Sequence, residues 1–235
     1  MTEKSPDVVL VTGGNRGVGR SIVERLQADG YRVSAGARNL ADLDWLNESP
    51  AILKCQIELC DKESIKRWAE QTVAAFGQID AVVNNAGFSA EVRLDNDDED
   101  GLDKMWEINA KGPLRLARAC WPYLQRSGHG RLVTISSLSG VRVRSADTGG
   151  YAMTKHAAVA LTHSLRFAGW NDGIRTTNIC PGYIATDMSL GVDIIGRDEM
   201  SQPQDIAAVI SHILALPNTA SVTTVPINCV LEPNY

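Results

Sequence analysis

Residues 7–19 read DVVLVTGGNRGVG, and this stretch decides the fold class. The apolar and mostly β-branched run Val8–Thr12 has the composition of a short buried strand. A loop with glycines in a GxxxGxG spacing follows at once, and apolar residues then recur at helical spacing until Gly30. A strand, a glycine-rich turn and a helix in this order are typical of a βαβ unit that binds a dinucleotide.

The same alternation of strand and helix continues along the chain. Further strands are predicted at 31–36, 52–57, 79–84, 130–136, 174–180 and 222–229, and further helices at 65–76, 95–126, 151–170 and 206–214. A bend is expected at 111–113, which contains Gly112 and Pro113. The pattern predicts an α/β, Rossmann-like, doubly wound fold with a mostly seven-stranded parallel sheet and helices on both faces. Residues 1–235 are expected to form one domain that both binds the cofactor and carries out catalysis.

The composition restricts the classes of partner. A net charge of −5 gives no general attraction to nucleic acid or to an anionic membrane, so a small-molecule substrate is expected instead. No apolar run reaches the length of a membrane span, and the polar start does not resemble a secretory signal. The five cysteines are odd in number and scattered, which favours small buried side chains in a cytoplasmic protein, without a metal site.

The glycine loop indicates how a cofactor would be held. Glycine permits a tight turn and a close approach of the backbone to a ligand. The helix that follows presents free N–H groups and the positive end of its dipole, which suit a pyrophosphate.

The second strand bears on which dinucleotide fits. An NAD site typically has a carboxylate at this strand end to bind the ribose 2′-hydroxyl, but here the strand ends Ala35-Gly36-Ala37-Arg38. Arg38, together with Arg16 in the glycine loop, would favour a 2′-phosphate, so NADP(H) is predicted. The alternative is that both arginines are solvated surface residues.

Several short motifs then occur in a fixed order. They are the glycine loop, Asn84-Asn85-Ala86-Gly87, Asn109, Ser137, Tyr151-x-x-x-Lys155, and Pro181-Gly182 with Thr186. In this combination, over residues 7–229, the chain resembles the short-chain dehydrogenase/reductase family. The resemblance implies NAD(P)-linked oxidoreduction of an alcohol/carbonyl pair, that is, reduction of a small ketone or aldehyde or oxidation of the corresponding alcohol.

The catalytic hypothesis rests on four residues. Tyr151 and Lys155 are four apart on a predicted helix and therefore share a face, where an ammonium group would lower the pKa of the phenol. Tyr151 is predicted to be the acid/base, while Lys155 also holds the nicotinamide ribose. Ser137 would orient the carbonyl oxygen. The resemblance gives Asn109 the role of anchoring a water relay to Lys155.

The cofactor contacts combine the residue pattern with the resemblance. The predicted set is Gly13, Asn15, Arg16, Gly17, Val18, Arg38, Glu58, Leu59, Asn85, Ala86, Gly87, Tyr151, Lys155, Pro181, Gly182, Ile184 and Thr186. Glu58 stands where the family often has an aspartate that meets the adenine. Asn85 is expected to join the fourth and fifth strands by hydrogen bonds.

The loop after Ser137 is expected to form a wall of the substrate site, in line with the resemblance. Its candidate substrate residues are Ser139, Arg142 and Arg144; Tyr183, after the sixth strand, and Arg93 are further candidates. An inward arginine would favour a carboxylate-bearing substrate, whereas outward arginines would be ordinary surface residues.

Two other functions stay open at this stage. One is a non-catalytic NADP-sensing regulatory protein, although such proteins tend to lose the tyrosine or lysine that this chain retains. The other is a family enzyme with a different outcome, such as an epimerase or dehydratase, which the absence of an added substrate domain disfavours. The resemblance also implies a homodimer or homotetramer built on the 102–126 and 151–170 helices.

Overall fold

A computed structural model describes residues 7–92, 95, 97 and 99–232. Its strands, in chain order, are β1 (Val8–Thr12), β2 (Arg32–Ala37), β3 (Ile52–Gln56), β4 (Ala81–Asn84), β5 (Arg131–Ile135), β6 (Arg175–Pro181) and β7 (Thr224–Ile227). The strands form one sheet in the order β3-β2-β1-β4-β5-β6-β7, and every neighbouring pair is parallel. The predicted fold class is therefore confirmed.

Helices cover both faces of the sheet. They are α1 (Gly17–Ala28), α2 (Lys62–Phe76), α3 (Asp100–Met105), α4 (Gly112–Ser127), α5 (Gly149–Gly169) and α6 (Pro203–Ala215). One apolar core lies under α1 and α6, and a second lies under α2 and α4. Parallel strands buried on both faces explain why their sequences are continuous apolar runs.

Strand β1 shows how that apolar run is used. All five of its residues are buried. Val9 and Val11 belong to the core under α1, whereas Val8 and Leu10 belong to the core on the other face. Because side chains alternate along a strand, β1 contributes residues to both cores.

The order of the strands fixes where a ligand can bind. The chain runs outward from β1 to β3, returns to β4 beside β1, and then continues in the opposite direction to β7. Such a reversal opens a crevice at the carboxyl ends of the two central strands, where ligands bind in open α/β sheets. Both the glycine loop after β1 and residues 84–87 after β4 lie at this place.

The helical region after β4 differs in detail from the prediction. Between α3 and α4 the backbone forms a π-helical segment, Trp106–Lys111, so the irregularity begins before the expected bend at 111–113. Pro113 lies in the first turn of α4, where a missing N–H is tolerated. Local π segments often occur at functional sites, and this one carries Asn109.

Other differences concern lengths and burial. β7 is four residues long, shorter than the predicted 222–229. Of the cysteines, Cys60 is exposed and Cys229 partly exposed, so the prediction of burial holds only for the other three. Among the described residues, no helix is both long and apolar enough to cross a membrane.

Candidate active site

The glycine loop makes the tight turn that its sequence predicts. Gly13 and Gly17 have positive φ angles of 65° and 53°, a conformation that favours glycine. A Cβ atom on Gly19 would lie 2.0 Å from the carbonyl oxygen of Gly13. The loop can therefore fold back on the start of α1 only because that position has no side chain.

Hydrogen bonds tie this loop to the end of β4. The Thr12 hydroxyl accepts from the backbone N–H groups of Asn85 and Ala86, both at 2.9 Å. The amide of Asn85 donates to the carbonyl oxygens of Thr12 (2.8 Å) and Gly13 (3.2 Å). The prediction that Asn85 joins the fourth and fifth strands is thus wrong: Asn84 makes that link, by donating to Thr134 at 3.4 Å. Asn85 instead shapes the glycine loop.

The crevice has the features that a dinucleotide requires. Helix α1 begins at Gly17 without a side-chain cap and without an acidic residue in its first turn, so its amino end is available to an anion. Ala86 and Gly87 are small, and a Cβ on Gly87 would come within 3.5 Å of the Lys155 ammonium and 3.6 Å of the Asn109 amide oxygen. The residues present therefore fit a bound nucleotide.

The segment after β6 lies across this crevice from the glycine loop. Pro181 ends the strand, Gly182 donates its N–H to Ile227 at 2.8 Å, and Ile184 forms a single bridge with Ser201. The methyl group of Thr186 would be 3.2 Å from a Cβ atom on Gly17. Of these predicted cofactor residues, Thr186 therefore lies beside the glycine loop.

The two arginines assigned to the 2′-phosphate lie in different environments. Arg16 is exposed and donates to the Asp187 carboxylate at 2.7 Å, which links the glycine loop to the segment after β6. Arg38 is exposed at the end of β2 and lines a groove of about 440 Å³ together with Glu58 and Arg67. Arg38 is therefore already placed beside an open groove, whereas Arg16 has to leave Asp187 before it can reach a phosphate.

Glu58 and Leu59, which follow β3 after Ile57, both have hydrogen bonds within the protein. The carboxylate of Glu58 accepts the N–H of Cys60 at 3.1 Å, although Glu58 also lines the groove beside Arg38. The Leu59 side chain is buried in the core, and its carbonyl oxygen accepts from Arg115 at 3.1 Å. Any contact of Leu59 with adenine would therefore come from its backbone.

Ser137, Tyr151 and Lys155 come together at the carboxyl end of β5. Ser137 lies two residues beyond the strand and close enough to Tyr151 for its hydroxyl to act on the pKa of the phenol, and this hydroxyl lies 3.5 Å from the carbonyl oxygen of Pro181. The Lys155 ammonium lies 5.6 Å from the centre of the Tyr151 ring and donates to the carbonyl oxygen of Ile135 at 3.1 Å. Three polar side chains from two elements thus converge on one point of the crevice.

The pKa values differ from the prediction in direction. Burial raises the pKa of Tyr151 to about 12, while the hydrogen bond with Ser137 acts in the opposite direction. Burial lowers the pKa of Lys155 to about 8. The predicted lowering of the Tyr151 pKa by Lys155 is therefore not found, because desolvation of the phenolate outweighs an ammonium that points toward Ile135.

Asn109 is buried, and its amide is fully used within the protein. Its oxygen accepts from the N–H of Phe88 at 2.9 Å, and its nitrogen donates to the carbonyl of Phe88 at 2.8 Å and to Thr154 at 3.1 Å. Because Thr154 precedes Lys155, Asn109 fixes helix α5 against the loop after β4. The side chain of Asn109 therefore holds these two elements of the site together. Only its backbone groups remain available to bind a water relay.

The two arginines in the loop after Ser137 differ in whether a carboxylate is paired with them. Arg142 binds Glu232 through two hydrogen bonds of 2.5 and 2.6 Å, and both side chains are only 17% exposed. Arg144 is exposed, lies over the Tyr183 ring at 5.2 Å and donates to its hydroxyl. Ser139 is partly buried and donates its N–H to the Ser137 hydroxyl at 3.0 Å. Arg93 lies outside the described residues.

The sequence did not point to three residues that shape this site. Thr12, Asp187 and Glu232 all bond to predicted site residues. Thr12 could have been found from its place between β1 and the first glycine. Asp187 and Glu232 carry no local signal, because their partners are distant in sequence.

Comparison with known proteins agrees with this arrangement. The family model described as short chain dehydrogenase matches residues 7–193. An agropine synthesis reductase of Rhizobium rhizogenes is 40% identical over 228 residues, which cover 96% of this chain but only 53% of that protein, so the chain spans about half the length of this relative. An uncharacterized oxidoreductase of Staphylococcus saprophyticus is 29% identical and is covered over 99% of its length, against 97% of this chain. The crystal structure of a Thermococcus sibiricus alcohol dehydrogenase complexed with 5-hydroxy-NADP superposes with a TM-score of 0.84 at 28% identity, covering 97% of this chain and 99% of that one.

Proposed function

The chain belongs to the short-chain dehydrogenase family, and we propose that it is an NADP(H)-dependent oxidoreductase of a ketone or aldehyde and the corresponding alcohol. The observation that carries the proposal is the convergence of Ser137, Tyr151 and Lys155 beside a crevice that fits a dinucleotide. The likeness to a dehydrogenase solved with an NADP analogue supports the choice of cofactor. One domain would serve both binding and catalysis.

The roles of the side chains follow from their positions. When bound, NADPH would supply the hydride that adds to the carbonyl carbon, and NADP⁺ would then be released. Tyr151 donates its proton to the carbonyl oxygen, so that the product is an alcohol. The Ser137 hydroxyl hydrogen-bonds to the same oxygen and stabilises the charge that develops there. Lys155 holds the nicotinamide ribose.

The protonation state of Tyr151 suits the role of a proton donor. With a pKa raised to about 12, Tyr151 is fully protonated at neutral pH and is ready to donate. The name of the R. rhizogenes relative also identifies a reductase.

The preference for NADP(H) rests on charge at the end of β2. The described residues there offer Arg38 at an open groove, with Arg67 on the facing helix. Arg67 lies 3.6 Å from the Asp61 carboxylate, so Arg38 is the guanidinium that we expect to bind a 2′-phosphate, whereas a 2′-hydroxyl gains little from it.

Two other functions remain in competition with this one. A non-catalytic sensor has no use for a protonated tyrosine beside a serine and a lysine at the crevice. An epimerase or dehydratase would use the same residues but would show no net consumption of NADPH. These alternatives therefore differ from the proposal in a measurable quantity.

A carbonyl panel tests the proposal. Acidic and neutral ketones and aldehydes are assayed by the loss of NADPH absorbance, with NADH at equal concentration in parallel. We expect turnover with NADPH to exceed that with NADH, and Arg38→Ala to raise KM for NADPH by about tenfold without a matching change for NADH. Arg126→Ala, at an exposed arginine on α4, is the control. Equal turnover with NADH would contradict the cofactor assignment, and no oxidation of either cofactor would contradict the proposed function.

A further inference from the structure

Two arginines lie in the loop between Ser137 and α5, and the structure distinguishes them. Arg142 forms a two-hydrogen-bond ion pair with Glu232, most of which is shielded from solvent. This geometry satisfies both charges, and a charge-assisted bidentate pair of this kind is among the stronger polar contacts. Arg142 is therefore fixed as part of the wall and does not offer a free charge to a ligand.

Arg144 is in the opposite situation. It is exposed, and within the described part of the chain its contacts are with Tyr183, a neutral phenol, through a hydrogen bond and the ring face. No carboxylate among the described residues lies within ion-pair distance of it. Its positive charge is thus left unneutralised.

The two arginines and Glu232 form one electrostatic cluster. The hydrogen bonds from Arg142 lower the pKa of Glu232, and the nearby charge of Arg144 acts in the same direction. Two guanidinium groups and one carboxylate leave a net charge of +1. An anion that approaches this cluster meets Arg144, because Glu232 already occupies Arg142.

The cluster lies on the wall of the reaction crevice. Arg144 belongs to the loop that leaves β5 through Ser137, and Tyr183 belongs to the segment that leaves β6 through Pro181. These two segments meet at their base, where the Ser137 hydroxyl lies 3.5 Å from the Pro181 carbonyl oxygen. The Arg144–Tyr183 contact joins the same two segments farther from the strands. Arg144 and Tyr183 thus lie on the two segments that flank Ser137.

We propose that Arg144, with the Tyr183 hydroxyl beside it, binds a carboxylate on the substrate, so that the enzyme selects oxo acids over neutral carbonyl compounds. This inference rests on the proposed function. The reaction is reduction of the oxo acid to a hydroxy acid: the hydride of NADPH forms the new C–H bond, the Tyr151 proton forms the O–H bond, and NADP⁺ is released. The carboxylate takes no part in the chemistry and serves to bind and orient the substrate.

The test compares oxo acids with their own methyl esters. A series in which the carboxylate lies at increasing distance from the carbonyl is assayed with NADPH, each acid beside its ester. We expect the native enzyme to prefer the best acid by about tenfold or more in kcat/KM, mainly through KM, because a solvent-accessible charge-assisted contact contributes on that scale. Higher salt should weaken the preference by screening.

Two variants that change the charge of the cluster in opposite directions distinguish substrate recognition from a structural role. Arg144→Gln should reduce the acid-to-ester ratio to near unity, whereas Glu232→Gln, which removes the neutralising carboxylate, should increase it. Arg126→Gln is the matched control, since Arg126 is also exposed and stacks over a tyrosine ring, Tyr123, at 4.7 Å. This control should leave the ratio unchanged.

Each outcome is decisive for one of the two proposals. Turnover without preference for the acids, or loss of acid and ester turnover alike in Arg144→Gln, overturns the role of Arg144 and leaves the reductase assignment intact. If no compound is reduced, binding of the same acids and esters to the protein–NADP⁺ complex is measured by calorimetry. Tighter binding of the acids that is lost in Arg144→Gln supports the anion site while the proposed function fails. Equal binding of acids and esters overturns the site.

Discussion

At the scale of the residue, the site contains two groups whose pKa values are shifted by burial. Lys155 is 5% exposed, and burial disfavours its charged form, while burial keeps Tyr151 protonated far above neutral pH. Both effects have the same physical origin, the loss of water around a charge. The buried charge of Lys155 therefore lowers the stability of the folded protein at neutral pH.

Replacing Lys155 by methionine tests this cost. The pKa of Lys155 is lowered from 10.5 to about 8, so at pH 7 the native state carries a buried charge that the unfolded state solvates. As the pH rises through 8 toward 10.5, the native state releases this proton first and its stability increases. Relative to Lys155→Met, the native protein should thus gain about 2 kcal/mol in unfolding free energy between pH 7 and pH 10.

Urea unfolding of both proteins at the two pH values measures this difference. Tyr151 does not enter the difference, because both proteins contain it and its ionisation in the unfolded state affects both equally. A difference between the two proteins that does not change with pH, or that changes in the opposite direction, would show that Lys155 is not buried as described.

At the scale of the element, the glycine loop is where the backbone is packed most closely. A Cβ on Gly19 would meet backbone atoms of Gly13 and the Asn85 amide, at 2.0 and 2.4 Å. We expect Gly19→Ala to weaken NADPH binding by at least about a hundredfold and to lower the melting temperature, because one neighbour is backbone and the Asn85 amide is held by two hydrogen bonds. Fluorescence titration with NADPH checks the first effect and calorimetry the second.

Gly149→Ala is the control for that substitution. Gly149 begins α5 and has ordinary backbone angles, and a Cβ atom added to it would have no neighbouring atom within 4 Å. This variant should bind NADPH as the native protein does. Near-native binding by Gly19→Ala would mean that the loop has room that the structure does not show.

The elements also show what the sequence could predict. The strand, glycine loop and α1 follow from local pattern, because each depends on neighbours within a few residues. The pairing of Arg142 with Glu232 and of Arg16 with Asp187 could not be predicted, since the partners are 90 and 171 residues apart. The predicted direction of the Tyr151 pKa shift is wrong for a related reason: spacing on a helix shows that Lys155 is near, but not how deeply the phenol is buried.

At the scale of the whole molecule, helix α5 carries an exposed apolar surface. Phe167 is 80% exposed and Met153 is 53% exposed, and they lie on similar sides of the helix. Large exposed apolar side chains on one face mark interaction sites in soluble proteins. We propose that α5 forms the interface of a homodimer or homotetramer.

Phe167→Glu should convert that oligomer to a monomer. A charge placed at a dry interface has to be desolvated without a partner, which costs several kcal/mol per subunit. Light scattering after size exclusion measures the mass, and Leu40→Glu, at an exposed apolar residue remote in sequence from α5, is the control. An unchanged mass in Phe167→Glu, or a native protein that is already monomeric, would contradict the interface.

The proposed function depends on hydride transfer with Tyr151 as the proton donor. The most direct measurement uses NADPH deuterated at either face of nicotinamide carbon 4, followed by mass spectrometry of the alcohol formed from the best carbonyl compound. We predict one deuterium on the carbinol carbon from one of the two labelled cofactors, and no alcohol with Tyr151→Phe, which should still bind NADPH. Alcohol without deuterium from either cofactor, or labelled alcohol formed at the native rate by Tyr151→Phe, would contradict it.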